Sequence, residues 1–167
     1  AKKLREACLR VGFFYVANHN VPKETVERAF LQTQRLFNLT LEQKMTMLAN
    51  EHNRGYTRAQ EELLDPSMQT EGDLKEGFYV GVEVAKNSEL ALQFPLFGPN
   101  IWPKESEGVL PGFRADIEKY FSAMSDLGLA LSDLLAESLG LPREYFRKFL
   151  TQPLAILRLL RYLPVES

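Results

Sequence analysis

Apolar positions along the chain fall into helical spacing over several stretches and into strand-like runs over three. Residues Ala1–Arg10 predict a short helix with Leu4, Cys8 and Val11 turned inward, ended by Gly12. Phe13-Phe-Tyr-Val-Ala17 is aromatic and β-branched and predicts a strand, followed by an Asn18-His-Asn20 turn in which Asn20 tolerates a positive φ. From Pro22 to Phe37, Val26, Phe30, Thr33 and Phe37 recur at spacings of three and four, the pattern of one helix face. Thr40-Leu-Glu-Gln43 is a capping-box pattern for a helix to about Ala49.

Between Asn50 and Gly108 the repeat weakens, and Gly, Pro, Asn and Asp punctuate it. One strand is expected there, over Gly77–Val84. So long an irregular stretch is unusual as plain loop and predicts chain pressed against another surface. The longest apolar stripe then runs Phe113, Ile117, Tyr120, Phe121, Met124, Leu127, Leu131, Leu134 and Leu135, a helix closed by Gly140. Pro142 opens a short helix to Phe149, and Leu154–Pro164 reads as a final buried strand. Arg158 and Arg161 stand three apart on it and so face opposite sides.

Composition narrows the class. The chain has 167 residues, enough for one domain with a real core. It is 45% hydrophobic and 25% charged, as globular proteins are. Twenty basic against 22 acidic residues leave a net charge of −2, which gives no basic excess for nucleic acid. The apolar runs are too short for a membrane span. The single cysteine, Cys8, forms no internal disulfide, and with no leader recognised the expected compartment is the cytoplasm. There is no initiator Met, and both ends are expected to be cuts in a longer protein.

The two histidines, His19 and His52, lack the spacing of a local metal site. His19 is expected to be buried and hydrogen-bonded across its turn, and His52 to be exposed. Asp73, Lys75 and Glu76 are expected to set a turn and pair at the surface rather than form an acid–base site. Arg54 carries the fork geometry that suits a carboxylate, with a solvated surface role as the alternative. Asn100 and Trp102 either line a pocket mouth or, for Trp102, anchor a core.

Several segments together carry a family resemblance. Val11-Gly-Phe-Phe-Tyr-Val-Ala-Asn-His-Asn-Val-Pro22, Arg54-Gly-Tyr56, Asp73-Leu-Lys-Glu-Gly-Phe78, Gly98-Pro-Asn-Ile-Trp-Pro103, Leu110-Pro-Gly-Phe113 and Leu157-Arg-Leu-Leu-Arg-Tyr-Leu-Pro164 occur in that order. They resemble the front half of the isopenicillin N synthase-like oxygenases, non-haem Fe(II) enzymes mostly dependent on 2-oxoglutarate. Asn20, Arg161 and Leu163 depart from the family pattern.

The resemblance implies an α+β, mainly helical region over residues 1–153 that packs on a double-stranded β-helix, or jelly-roll, core. Residues 154–167 would be the first strand into that core, most of which is absent from this chain. The cofactors implied are Fe(II), 2-oxoglutarate as co-substrate, and O2. The reaction implied couples decarboxylation of 2-oxoglutarate to hydroxylation or desaturation of a small organic substrate. The family's His-x-Asp and Arg-x-Ser do not occur here, so no catalytic residue and no metal ligand is assigned, the iron ligands are expected downstream of Ser167, and this segment alone is expected to be inactive.

Tyr162 and Arg158 are the cofactor-binding candidates. Arg54, Tyr56, Asn100 and Trp102 are the substrate-binding candidates. The expected partners are a small-molecule substrate and the protein's own C-terminal catalytic core, with no nucleic acid and no membrane. The alternatives are a non-catalytic helical interaction domain, or a degenerate family member whose core has lost its iron ligands.

Overall fold

The computed structural model describes residues 1–61 and 72–164. They form helices α1 (Lys2–Arg10), α2 (Lys23–Phe37), α3 (Leu41–Met45), α4 (Glu89–Gln93) and α5 (Phe113–Ser138), and strands β1 (Gly55–Thr57), β2 (Lys75–Gly81) and β3 (Ile156–Tyr162). Helices with one small sheet place the chain in the α+β class. Two compact units divide it: Ala1–Glu27 with Ile117–Pro153, and Arg28–Asp116 with Leu154–Ser167. Among the described residues no helix is long and apolar enough to cross a membrane.

In the first unit α5 is closed by Gly140 at φ +75°. The Leu141 N–H donates to the Ala136 carbonyl and the Gly140 N–H to that of Glu137, both at 3.0 Å. This is the paired C-terminal closure that a left-handed glycine allows. Arg5 of α1 donates to the Ser138 carbonyl at 2.9 Å, a cation at the negative end of α5. Asp133 of α5 is buried and receives Arg147 through Nε at 3.1 Å and Nη2 at 2.7 Å. That fork, with Arg143 3.7 Å away, holds the carboxyl below its usual pKa and secures the 143–149 segment.

In the second unit the sheet runs β1-β2-β3, antiparallel throughout. Phe78 and Val80 of β2 point into the core with Leu36, Phe37, Met47, Tyr56, Phe113 and Leu159. The Phe78 and Phe113 rings meet edge to face at 5.6 Å. The capping box at Thr40 is formed: the Gln43 N–H reaches the Thr40 hydroxyl, and the Thr40 N–H reaches the Gln43 side chain.

Several expectations differ from what is found. Residues 13–17 form no strand: Phe13 and Tyr15 are exposed, and among the described residues no strand pairs with them to satisfy the backbone. The buried positions of α2 are Thr25, Ala29, Gln32, Leu36 and Phe37; Phe37 is buried as the apolar spacing implies, but the rest of the row lies one position earlier, and Phe30 is 71% exposed. Gln32 is tolerated there because its amide donates to Asp116 at 2.6 Å and accepts from Arg35 at 2.8 Å. Helix α3 stops at Met45, and only a 3₁₀ turn, Arg147–Phe149, follows Pro142. Cys8 is exposed. β2 spans Lys75–Gly81 because its ladder to β3 ends at Gly81 opposite Ile156.

Candidate functional site

Alternation along β2 sends Glu76, Phe78 and Val80 to one face of the sheet and Lys75, Gly77 and Tyr79 to the other. The ladder extends the division across β3. Arg161, Leu159 and Leu157 lie opposite the first set; Tyr162, Leu160 and Arg158 lie opposite the second. On β1, Tyr56 pairs with Phe78 and Thr57 with Gly77.

The core face carries a closed charge network. The Glu76 carboxylate, 4% exposed, accepts from Lys44 Nζ at 2.6 Å and the Tyr56 hydroxyl at 2.7 Å, with Arg161 at 3.4 Å. Lys44 and Arg161 also donate to the Phe37 carbonyl, at 3.5 and 2.8 Å. Burial first, and then the Glu76 carboxylate, push the Tyr56 phenol well above its ordinary pKa. Both Glu76 oxygens and the Tyr56 hydroxyl thus have partners from this chain, as a structural network requires. Glu76 is therefore not the surface charge its sequence context suggests.

The opposite face opens into a cleft of about 240 Å³ lined by Thr57, Lys75, Gly77, Tyr79 and Leu160 of the sheet and Asn53, Arg58 and Glu61 of the adjoining loops. Gly77 keeps it open: a β-carbon there would come within 2.8 Å of Thr57 Oγ1 and 3.0 Å of Tyr79 Cε2. Lys75, its side chain only 10% exposed, is held by Asp73 at 2.7 Å. Glu61 accepts from the Arg58 backbone N–H at 2.9 Å and from its guanidinium at 3.3 Å, which keep the carboxyl below its usual pKa. Arg158 lies over the Tyr79 ring, 5.1 Å from its centroid, and donates to the Tyr79 hydroxyl at 3.0 Å. Tyr162, 70% exposed, stands on the same face opposite Lys75.

Tyr162 and Arg158 thus share the cleft side of β3, while Arg54, Tyr56, Asn100 and Trp102 do not line the cleft. Arg54 is fully buried, which rules out the solvated surface role, and it donates to the carbonyls of His52 at 2.8 Å, Asn53 at 3.3 Å and Leu96 at 2.9 Å. Desolvation lowers its pKa, partly opposed by Glu83. Tyr56 sits in the Glu76 network. Asn100 clamps both backbone groups of Gly81, at 2.8 and 2.9 Å. Trp102 donates to Glu83 at 3.0 Å and packs edge-on to Phe113.

His52 is buried, with Nδ1 2.9 Å from the Pro95 carbonyl, because Gly98 lets the ring approach; His19 is exposed and accepts from the Val21 N–H at 3.1 Å. Lys75, Tyr79, Thr57 and Arg58 were not singled out by sequence as pocket residues. The available signal was the parity of Lys75 and Tyr79 around Gly77 on a strand.

Among the described residues no three His, Cys, Asp or Glu side chains gather as a metal site. The residues described therefore do not make an iron site.

Residues 1–105 match the family model described as non-haem dioxygenase in morphine synthesis N-terminal. The chain belongs to that family, the N-terminal region of the Fe(II)/2-oxoglutarate oxygenases. It is 34% identical over 146 residues to azadirone synthase of Melia azedarach, which covers 87% of this chain and 43% of that protein. It is 36% identical over 168 residues to a 2-oxoglutarate-dependent dioxygenase of Penicillium crustosum, 96% of this chain and 49% of that one.

Among solved structures, a full-length Neurospora crassa protein in complex with alpha-KG superposes with a TM-score of 0.79 at 25% identity, covering 99% of this chain and 49% of that one. A 2OG-Fe(II) oxygenase family protein from Caulobacter crescentus shares the fold, with a TM-score of 0.83 at 22% identity over 99% of this chain and 52% of that one. The chain spans about half the length of the curated relatives it matches.

Proposed function

We propose that this chain is the N-terminal part of an Fe(II)- and 2-oxoglutarate-dependent oxygenase acting on a small organic molecule, and that it supplies one wall of the active-site pocket. The observation that carries this reading is the two-sided sheet. One face is sealed by the core, whereas the other presents a cleft together with Tyr79, Arg158 and the exposed Tyr162.

In this reading residues 154–167 open the jelly-roll core, and the chain packs on that core. Iron and the remaining 2-oxoglutarate contacts come from residues beyond this chain, and the bound pair supplies the oxidising chemistry. The chain's own residues bind and orient. Tyr162 offers a phenol donor and Arg158 a guanidinium to the 2-oxoglutarate carboxylates, and Tyr79 holds Arg158 in place. Arg54 acts at a distance by holding the His52 and Asn53 carbonyls at the edge of the cleft, and Asn100 and Trp102 fix the chain at Gly81 and Glu83. Alone, the 167 residues bind no iron tightly and turn over nothing.

The test is to read the parent frame past Ser167 for a His-x-Asp, a later His and an Arg-x-Ser, and to assay the whole protein for iron-dependent succinate formation from 2-oxoglutarate. In that protein Arg158→Gln and Tyr162→Phe are expected to raise the KM for 2-oxoglutarate. A frame without those ligands, or unchanged KM in both variants, overturns the reading. Tight stoichiometric Fe(II) binding by the 167 residues overturns the division of labour.

A further inference from the structure

The charges that line the cleft beside β2 are already paired. Asp73 holds the Lys75 ammonium at 2.7 Å, and the Glu61 carboxylate holds Arg58. A charged ligand would have to break one of these pairs to enter. The neutral polar groups are in the opposite state. The Tyr79 hydroxyl oxygen takes the hydrogen bond from Arg158 at 3.0 Å, and among the described residues nothing accepts its proton. The Thr57 hydroxyl has no hydrogen-bond partner among the described residues, and it is not sealed from the cleft.

These two hydroxyls belong to one space. Thr57 of β1 and Leu160 of β3 both stand opposite Gly77 in the ladder. A β-carbon on Gly77 would lie 2.8 Å from Thr57 Oγ1, 3.0 Å from Tyr79 Cε2 and 3.4 Å from Leu160 Cδ2. The bare backbone at Gly77 is thus the floor, with a hydroxyl, a phenol edge and an apolar side chain around it. Tyr79 is 8% exposed, and Arg158 covers its ring at 5.1 Å, so the phenol is held in place. A hydroxyl that accepts from a cation donates more strongly in turn. Small-molecule sites combine apolar walls with a few fixed polar groups in this way.

We propose that the space over Gly77 is a subsite for an uncharged carbonyl oxygen of the small-molecule substrate, which accepts from the Tyr79 and Thr57 hydroxyls while Leu160 meets the adjoining carbon skeleton. The inference rests on the oxygenase reading for the word substrate, but the binding itself does not. Tyr79 and Thr57 thereby determine specificity. A ketone is favoured over a carboxylate or an amine, because the charged groups of the cleft are paired with one another and the hydroxyls are not.

The experiment is an NMR titration of the 167-residue chain, without iron or 2-oxoglutarate, with three probes that share one ring: cyclohexanone, cyclohexanecarboxylate and cyclohexylammonium. Cyclohexanone is expected to give saturable shifts at the Thr57, Gly77 and Tyr79 amides, and neither ion is at the same concentrations. Thr57→Val and Tyr79→Phe are each expected to weaken cyclohexanone by about fivefold, the net worth of one neutral hydrogen bond. Tyr79→Phe also removes the acceptor of Arg158, whereas Thr57→Val is nearly isosteric and removes a hydroxyl with no partner among the described residues, so it keeps the fold if the Tyr79 variant does not.

The proposal is overturned if cyclohexanone gives no saturable shift, if either ion binds as well, or if Thr57→Val binds cyclohexanone unchanged. It is overturned equally if 2-oxoglutarate displaces cyclohexanone at matching affinity, because the cleft then belongs to the co-substrate. None of these results depends on turnover, so they are separate from failure of the oxygenase reading.

Discussion

Replacing Glu76 with Gln tests the core-face network directly. The two side chains are nearly isosteric, so the change removes charge and leaves packing in place. Tyr56 keeps an acceptor in the amide oxygen. Arg161 is 43% exposed and retains the Phe37 carbonyl at 2.8 Å, so its loss is screened and contributes less than about 1 kcal/mol. Lys44 bears the main cost. Its side chain is 10% exposed, and without the Glu76 charge its ammonium keeps only neutral oxygens, the amide oxygen it would share with Tyr56 and the Phe37 carbonyl at 3.5 Å. Breaking a buried pair by removing one partner costs about 3–5 kcal/mol. With the neutral bond to Tyr56 preserved, the low end applies, about 3 kcal/mol. That is about 150-fold in the folded-to-unfolded ratio and a fall in Tm of about 6–12 °C.

The assay is urea unfolding followed by fluorescence of the one tryptophan, Trp102, which packs on Phe113 in the same unit as Glu76. The midpoint should fall while the denaturant slope stays constant. The companion is the double variant Lys44→Met with Glu76→Gln, which removes the stranded charge and should recover to within about 1 kcal/mol of the parent. A loss below about 1 kcal/mol for Glu76→Gln, or a double variant no more stable than that single one, would refute the assignment of the cost to the stranded Lys44.

Alkaline titration should show the Tyr56 environment. Because the folded state holds the phenol proton while the unfolded chain releases it near pH 10, stability falls as pH rises past that value, by up to about 1.4 kcal/mol per pH unit. Tyr56→Phe should remove that share of the slope, and an unchanged slope would count against the buried phenol. At the acid end the depressed Asp133 carboxyl contributes stability that is present above the ordinary aspartate pKa and lost as pH falls below it. Asp133→Asn should flatten the acid limb of the helical circular dichroism midpoint, and an identical limb in both proteins would sink the claim. Gly81→Ala should destabilise by about 2–3 kcal/mol, since the new methyl would overlap the Arg54 guanidinium, which is fully buried. Urea unfolding checks this, and a neutral result would mean that Arg54 can move.

Elements whose signals are local were legible in the sequence. The Thr40 capping box and the Gly140 closure of α5 each depend on neighbours within a few residues. The ordered motifs also reached the family, because they survive as short segments even where overall identity is low. What was not legible depends on partners far along the chain. Residues 13–17 have strand composition, but a strand exists only with a ladder, and none of the described residues supplies one. His52 and Arg54 look like loop residues, yet both are buried because Gly98 and Gly81 make room for them. The cleft was missed because its lining comes from loops near 53 and 58 and from all three strands, of which β2 and β3 lie more than seventy residues apart and only the ladder brings them together.

Charge pattern alone misleads on β2, and parity corrects it. Asp73, Lys75 and Glu76 form one charged run in sequence, but strand alternation sends Lys75 to the cleft and Glu76 to the core. The same division separates Arg158 from Arg161 on β3. A slip of one residue between the strands would turn every side chain to the opposite face. It would carry Arg158 and Tyr162 toward the core and turn Leu159 away from Phe78. The Glu76 network opposes such a slip because it joins β1, β2 and β3 to the Lys44 helix through one carboxylate, with contacts that only one register satisfies. On this argument the buried charges and the cleft are two halves of one device. The network holds the register, and the register sets which groups the cleft presents. Repacking the core face with apolar residues could preserve stability, but it would remove the specific contacts that keep Lys75, Tyr79, Arg158 and Tyr162 aligned on the face where a ligand would meet them.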